Sequence, residues 1–199
     1  MELYLVRHGK TDWNAQGKLQ GNIDIHLNDE GKKSAIELGE KLKNVDFDRI
    51  YSSPLSRAYE TAQLICGQRQ IPIFTDNRLR EISFGVMEGI TYEEWTKPES
   101  PYRFFFQEDV TQYNPPKDGE TIDSICVRTK EFMQTVIEPL YGQCERIMIV
   151  GHGALLAATL CYLENHGKEK FWAGGLKGNC GVVRFSFDGK NYSRLPDNL

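Results

Sequence analysis

Two short apolar runs in this sequence are each followed by a histidine and a glycine. Residues 3–6 lead into His8, and residues 147–150 lead into His152. Each run has the length and the aliphatic composition of a buried strand. Ligands of open parallel sheets bind beyond the carboxyl ends of the strands. If these two strands are neighbours, both histidines meet at one site.

The order of predicted strands and helices indicates an α/β fold. Periodicity predicts strands near 2–6, 48–52, 71–74, 146–150 and 181–187, and helices near 31–43, 56–67, 91–96, 121–138 and 153–163. No stretch rich in serine and glycine divides the chain, and 199 residues suit one core. We therefore expect a single domain over 1–199.

The segment 97–119 departs from this regular pattern. It holds four prolines among many aromatic residues, which is typical of an irregular excursion rather than a linker. We interpret the insertion at about 88–120 as a lid, whose aromatic side chains would line a pocket for the leaving group. A small core under a long loop is an alternative that the sequence supports at least as well.

Composition narrows the possible functions. A formal net charge of −4 argues against a nucleic-acid partner, and no apolar run approaches the roughly 20 residues that span a bilayer. The chain enters a strand at once, without signal-peptide features, so we expect a cytoplasmic protein. Its five cysteines form no zinc-like spacing, and we interpret them as reduced structural thiols. We expect no metal and no cofactor, and the oligomeric state stays open.

Two arginines favour a phosphate over a metal at the predicted site. Arg7 directly precedes His8, and its guanidinium donors match phosphate oxygens but would repel a metal cation. Arg57 follows the strand near 48–52, where the start of a helix offers unpaired N–H groups and a favourable dipole. Taken alone, Arg57 would be interpreted as a surface residue.

Phosphoryl transfer also requires a proton for the leaving oxygen, and Glu81 is our candidate for the acid. An apolar neighbourhood around Phe84 would favour the protonated carboxyl group. A salt bridge to Arg78 or Arg80 is the alternative role for this side chain. Glu88 is a weaker rival for the acid.

These residues belong to a longer series of motifs. The series contains Arg7-His8-Gly9-Lys10-Thr11-Asp12-Trp13-Asn14, Gln20-Gly21, Leu27-Asn28-Asp29-Glu30-Gly31, Ser52-Ser53-Pro54-Leu55-Ser56-Arg57-Ala58, Leu79-Arg80-Glu81, Phe84-Gly85, Glu88-Gly89 and Val150-Gly151-His152-Gly153. Together they resemble the signature of the histidine phosphatase superfamily, in its phosphoglycerate-mutase-like branch, over nearly the whole chain. The resemblance implies three layers, with helices on both faces of a mostly parallel central sheet and an irregular helical lid.

The resemblance also implies a role for each candidate residue. His8 would attack phosphorus and become a phosphohistidine, and Glu81 would protonate the leaving group and then activate water. The residues implied to hold the phosphoryl group or the rest of the substrate are Arg7, Arg57, His152, Asn14, Gln20, Gly21 and Gly153. A cap or turn stays the alternative for Asn14, and a glycine turn for Gln20-Gly21.

Hydrolysis is the favoured outcome of this chemistry. Mutases of the branch carry basic residues and a longer insertion after the acid, whereas 88–94 is acidic and has no cation. We expect a metal-independent phosphatase acting on a small phosphorylated substrate, with a cofactor-dependent phosphoglycerate mutase as the alternative. A metallohydrolase is disfavoured because the arginines would repel a cation. A non-enzymatic phosphate-binding module is disfavoured because it needs no acid.

Overall fold

Strands and helices alternate in the computed structural model, which describes residues 1–106, 110–175 and 178–196. The strands are β1 (Glu2–Arg7), β2 (Arg49–Ser52), β3 (Ile73–Thr75), β4 (Arg146–Gly151), β5 (Val182–Phe187) and β6 (Tyr192–Arg194). The α-helices are α1 (Asp12–Ala15), α2 (Asp29–Lys41), α3 (Ser56–Cys66), α4 (Tyr92–Trp95), α5 (Ile122–Phe132) and α6 (Gly153–Leu163). This order confirms the predicted α/β fold, although α1 and β6 have no counterpart among the predicted elements.

The six strands form one sheet in the order β3-β2-β4-β1-β5-β6. The four strands β3, β2, β4 and β1 run parallel to their neighbours. β5 is antiparallel to β1, and β6 is antiparallel to β5. The sheet is therefore mostly parallel, as predicted, and the carboxyl ends of β1 and β4 lie side by side.

Helices cover both faces of this sheet. Leu3 and Leu5 of β1 belong to a buried cluster that includes side chains of α5 and α6. Tyr4 and Val6, which point to the opposite face, pack with side chains of α2 and α3. Burial on both faces explains why the strand is a continuous apolar run instead of an alternating one. The expected three layers are present.

The predicted lid contributes buried side chains to the larger of these two clusters. Trp95, Phe105 and Tyr113 are buried there, and their rings contact one another. Two short 3-10 turns, Arg103–Phe106 and Val110–Gln112, carry part of this segment, and 107–109 lie outside the described residues. The alternative of a core under a long loop accounts for these aromatics, and movement as a lid stays a prediction.

Two expectations concern the chain as a whole. Within the described ranges, no helix is long and apolar enough to cross a bilayer. The single domain over 1–199 stays a prediction, supported by the fact that both buried clusters pack against one sheet.

The start of α2 packs against the backbone that follows β1. The Asn28 side chain caps the helix by accepting a hydrogen bond of 2.9 Å from the backbone N–H of Gly31. A Cβ on Gly31 would lie 2.1 Å from the carbonyl oxygen of Lys10, and a Cβ on Gly9 would lie 2.8 Å from that of Gly31. Only glycines permit this close approach, which holds the loop next to His8.

We predict that Gly31→Ala destabilises the protein, although alanine is the better helix former by about 1 kcal/mol. The added Cβ would force the helix away from the Lys10 backbone, so we expect the free energy of unfolding to fall by about 1–3 kcal/mol. Urea denaturation measures this change. Lys33→Ala, at an exposed position of the same helix, serves as the control and should stay within about 0.5 kcal/mol of wild type. A Gly31→Ala protein as stable as wild type would contradict this packing.

Candidate active site

His8 and His152 lie together at the carboxyl ends of β1 and β4, as the sequence predicted. The two strands pair in register, with Arg7 opposite Gly151, and the His8 N–H donates to the Gly151 carbonyl at 2.9 Å. The centroids of the two imidazole rings are 5.1 Å apart. The adjacent cavity has a volume of about 290 Å³. The predicted residues that line it are Arg7, His8, Asn14, Gln20, Gly21, Arg57, Glu81 and Gly153.

The structure determines which nitrogen of His8 is free to react. Its Nδ1 lies 2.7 Å from the carbonyl oxygen of Gly9. A carbonyl oxygen can only accept, so Nδ1 carries the proton and Nε2 keeps its lone pair. Burial lowers the pKa of His8 well below its usual 6.5, and the nearby charges of Arg57 and Arg7 lower it further. His8 is therefore a neutral imidazole with an available nucleophilic nitrogen.

The backbone around His8 is held from two directions. The N–H of Gly9 donates to the hydroxyl of Thr61 on α3, at 2.9 Å. From the segment before β5, the side-chain amide of Asn179 donates to the His8 carbonyl at 2.9 Å, and the N–H of Cys180 donates to the Arg7 carbonyl at 3.0 Å. No motif singled out Asn179, because its role arises only where distant segments meet.

Arg57 is a buried residue that joins three parts of the site. Only 1% of its surface is exposed, so its interpretation as a surface residue when taken alone is wrong. Its guanidinium donates to the carbonyl oxygens of Gly21 at 2.7 Å and Ile23 at 2.9 Å, and its Nε donates to Nδ1 of His152 at 3.2 Å. Burial lowers the pKa of Arg57 to about 10, so it stays charged at neutral pH.

The hydrogen bond from Arg57 also fixes the protonation of His152. Because Nδ1 of His152 accepts, its Nε2 carries the proton. Burial and the charge of Arg57 lower the pKa of His152 well below 6.5, so the ring is neutral. Its Nε2 and the Nε of Arg7 are both buried without a hydrogen-bond partner among the residues that the structure describes. Unsatisfied buried donors of this kind favour an anionic acceptor.

Glu81 lies at the amino end of α6, beside the cavity. Its carboxylate accepts hydrogen bonds from the backbone N–H groups of Ala154 at 3.3 Å, Leu155 at 3.1 Å and its own neighbour Ile82 at 3.0 Å. The sequence indicated two opposing influences on this carboxyl group, apolar surroundings and nearby arginines. The structure adds backbone N–H donors, two of them at the start of α6.

The alternatives for this carboxylate take other roles in the structure. Arg78 pairs with Asp76 at 2.7 Å, and Arg80 donates to the side chain of Asn22, so neither forms the salt bridge considered for Glu81. The rival acid Glu88 accepts from the backbone N–H groups of Asn22 at 2.8 Å and Phe84 at 3.1 Å. Glu88 is thus a structural side chain that holds two loops.

Asn14 and Gly21 combine structural roles with their positions at the cavity. Asn14 forms a capping box with Thr11 at the start of α1 and also lines the cavity. Gly21 has a φ of +52°, and a Cβ there would lie 2.1 Å from the carboxylate of Glu88. The glycine turn is therefore real. The substrate-binding roles of Asn14, Gln20, Gly21 and Gly153 stay predictions.

Sequence reasoning did not single out Lys18 or Trp172, which also line the cavity. Lys18 comes two residues before the Gln20-Gly21 motif, a proximity that could have drawn attention to it. Trp172 lies between α6 and β5, far in sequence from every motif, and its indole N–H donates to the carbonyl of Phe105 at 2.6 Å. Phe105 and Phe106 line the cavity as well, in agreement with the prediction that aromatics of the insertion reach the site.

The chain is similar to known proteins in sequence and in structure. A family model described as the histidine phosphatase superfamily, branch 1, matches residues 3–195. The chain is 38% identical over 159 residues to phosphoglycerate mutase-like protein 4 of Arabidopsis thaliana, covering 78% of this chain and 67% of that protein. It is 32% identical over 177 residues to phosphoserine phosphatase 1 of Hydrogenobacter thermophilus, covering 88% and 82%. The solved structure of Bacillus stearothermophilus YhfR is similar with a TM-score of 0.88 and 32% identity, covering 97% of this chain and 94% of that one.

The lowered pKa values of the two buried histidines predict a specific response to acid. In phosphate-free buffer, His8 and His152 should stay neutral through pH 6.5, whereas His26, whose pKa is raised mainly by its hydrogen bond to Glu60, should protonate first. NMR titration of the ring protons, assigned with His→Gln variants, checks this order. A His8 ring that titrates at or above pH 6.5 would contradict it.

The same shifts fix the sign of the pH dependence of stability. Near pH 6.5 the unfolded chain takes up protons on histidines that the folded chain keeps neutral. The free energy of unfolding therefore keeps its full value above pH 6.5, and it decreases as the pH falls below 6.5. The decline should be shallower in His152→Gln, which lacks one of these groups.

Proposed function

Because the chain belongs to the histidine phosphatase superfamily, we propose that it is a metal-independent phosphatase that hydrolyses small phosphomonoesters through a phosphohistidine on His8. The observation that carries this proposal is the protonation pattern of the paired histidines. His8 offers a lone pair on Nε2, whereas His152 offers an N–H, so one ring can attack phosphorus and its neighbour can donate to a phosphoryl oxygen. Two histidines in the same state could not divide the work in this way.

In the first step, Nε2 of His8 attacks phosphorus while the bond to the leaving oxygen breaks. The phosphoryl oxygens find donors in Arg7, in the remaining N–H groups of Arg57 and in Nε2 of His152. These groups are already oriented, and stabilisation of the developing charge by fixed donors is the main source of catalysis in phosphoryl transfer. The Gly9 carbonyl, which accepts from Nδ1, stabilises the positive charge that develops on His8.

Glu81 supplies the proton for the leaving oxygen. The backbone donors around Glu81 stabilise its carboxylate, but a phosphate dianion in the same cavity adds negative charge and favours the protonated carboxyl group. Substrate binding would thus help to bring the acid to its working state. In the second step, Glu81 takes a proton from water, the water oxygen attacks phosphorus, and the bond to His8 breaks.

We expect His8→Ala to abolish both phosphate release and formation of the phosphoenzyme, because His8 is the group that attacks the substrate in this scheme. Phosphate release and phosphoglycerate isomerisation are measured side by side on a panel of phosphomonoesters, with and without EDTA, and the phosphoenzyme is trapped in alkali and detected by intact-mass spectrometry. The matched control is His26→Ala, which removes an exposed histidine outside the cavity.

The results of this measurement separate the competing functions. Hydrolysis that resists EDTA and is lost in His8→Ala supports the phosphatase. Isomerisation without phosphate release would make the protein a phosphoglycerate mutase. Activity that EDTA abolishes, or that His8→Ala retains, would overturn the phosphohistidine mechanism.

Glu81→Gln should slow hydrolysis most for substrates whose leaving group must be protonated in order to depart. For an alkyl phosphate we expect a loss of about 10²–10⁴-fold in kcat, the usual contribution of a general acid. For p-nitrophenyl phosphate, whose leaving group departs as a stable anion, the loss should be much smaller. Pre-steady-state measurement of the first step checks this difference.

Glu88→Gln provides the contrast, because its carboxylate holds the Asn22 and Phe84 backbones. It should change both substrates by the same factor. A larger leaving-group effect in Glu88→Gln than in Glu81→Gln would show that Glu88, and not Glu81, is the acid.

A further inference from the structure

The hydroxyl group of Thr61 connects two parts of the site that the proposed chemistry uses separately. Thr61 lies on α3, is fully buried and is not among the residues that line the cavity. Its Oγ1 donates to the carbonyl oxygen of Arg57 at 2.6 Å and accepts from the N–H of Gly9 at 2.9 Å. A carbonyl only accepts and an N–H only donates, so the direction of both hydrogen bonds is fixed. One buried oxygen therefore joins the backbone of the arginine to the backbone beside His8.

The bond to Gly9 holds one side of the peptide group that links His8 to Gly9. On the other side of this peptide, the His8 carbonyl accepts from the side-chain amide of Asn179 at 2.9 Å. Glycine has a wide range of accessible backbone torsions, so its peptide keeps one orientation where partners hold it. The orientation matters because the carbonyl of Gly9 accepts from Nδ1 of His8 at 2.7 Å. Loss of the Thr61 hydroxyl would free the torsions that direct this carbonyl at the imidazole.

The bond to Arg57 ties the same peptide to the helix that carries the guanidinium. Arg57 lies in the first turn of α3, four residues before Thr61. Its guanidinium has three acceptors of its own, two backbone carbonyls and Nδ1 of His152, so it keeps its place without the hydroxyl. The Gly9 N–H, by contrast, would lose its bond in a buried setting, which is unfavourable. We therefore expect the backbone of Gly9, and not the arginine, to respond to a change at Thr61.

We propose that Thr61 is a positioning residue for the nucleophile. By holding the N–H of Gly9, it keeps the Gly9 carbonyl on Nδ1 of His8 and thereby keeps the reactive lone pair on Nε2. The effect on rate rests on the phosphatase proposed above, and Thr61 acts on that reaction through His8 without touching the substrate. The tautomer of His8 is a property of the resting protein, so it is measured without turnover.

The test replaces Thr61 with valine, which removes the hydroxyl and keeps a branched side chain of similar size. Proton–nitrogen correlation NMR near neutral pH, in phosphate-free buffer, should show a protonated Nδ1 and a free Nε2 for His8 in wild type, and a mixture of both tautomers in Thr61→Val. The first step with p-nitrophenyl phosphate should slow by about 10–100-fold, the cost of a misplaced reacting group. Binding of inorganic phosphate should not weaken, because the phosphate donors are unchanged. Thr61→Ser keeps the hydroxyl and should keep both the tautomer and the rate.

Thr159→Val is the matched control. Thr159 is a buried threonine of α6 whose hydroxyl donates to the carbonyl four residues earlier at 2.9 Å, the same kind of bond that Thr61 makes to Arg57. This variant should keep the tautomer of His8 and the rate of the first step. Thermal unfolding verifies that each variant is folded. Thr61→Cys, whose thiol is a weaker acceptor, replaces Thr61→Val if valine prevents folding.

The outcomes separate this inference from the proposed function. A single, unchanged tautomer of His8 in Thr61→Val would overturn the role of Thr61. So would a first step as fast as in wild type, or a loss of equal size in Thr159→Val. Failure of the phosphatase is a different result, because wild type would then show no His8-dependent hydrolysis of any substrate, whatever the tautomer of its His8.

Discussion

Two guanidinium groups, that of Arg57, which is buried, and that of Arg7, which is partly buried, place positive charge at the carboxyl end of the sheet. Removing a charged side chain from water costs on the order of several kcal/mol unless partners replace the water. Arg57 obtains two backbone carbonyls and one imidazole nitrogen, all neutral acceptors. Neutral acceptors solvate a guanidinium without cancelling its charge, so the cavity keeps a positive potential. Such a potential favours the phosphate dianion of the proposed function.

Burial and the same charge together set the protonation state of His8. Burial lowers its pKa most and the two arginines lower it further, so the ring is neutral and one nitrogen keeps its lone pair. Because the Gly9 carbonyl accepts a hydrogen bond from Nδ1, the lone pair lies on Nε2. Under the proposed function, His8 thus needs no general base, and Glu81 is left to serve the leaving oxygen.

The parts of the site that could be predicted from sequence are those that depend on local structure. Val6 and Val150 end buried strands, and any residue that follows them must emerge at the same edge once the strands pair. The cap at Asn28 is equally local. By contrast, Asn179 and Trp172 reach the site only through contacts between distant segments, and periodicity carries no information about such contacts.

The interpretation of Arg57 taken alone is wrong for a reason that lies outside its own segment. Arg57 has the sequence context of a surface residue, but contacts with the loop that contains Gly21 and Ile23 and with His152 bury it. Similarly, 88–94 has no cation of its own, and backbone pairing between Lys18 and Thr91 brings a lysine from an earlier segment next to it. In both cases a charged side chain owes its environment to a loop that is near in space and distant in sequence.

This contrast divides the residues that line the cavity into two groups. One group, which includes Arg7, His8 and Gly153, lies at strand ends and helix starts, where backbone geometry leaves little freedom. The other group is made of Lys18, Phe105, Phe106 and Trp172, which lie outside the sheet, and the Trp172 indole donates to the Phe105 carbonyl. Changes in those segments can alter the walls without disturbing His8 or the arginines. Under the proposed function, we expect substrate choice to depend on these segments, which the sheet does not fix.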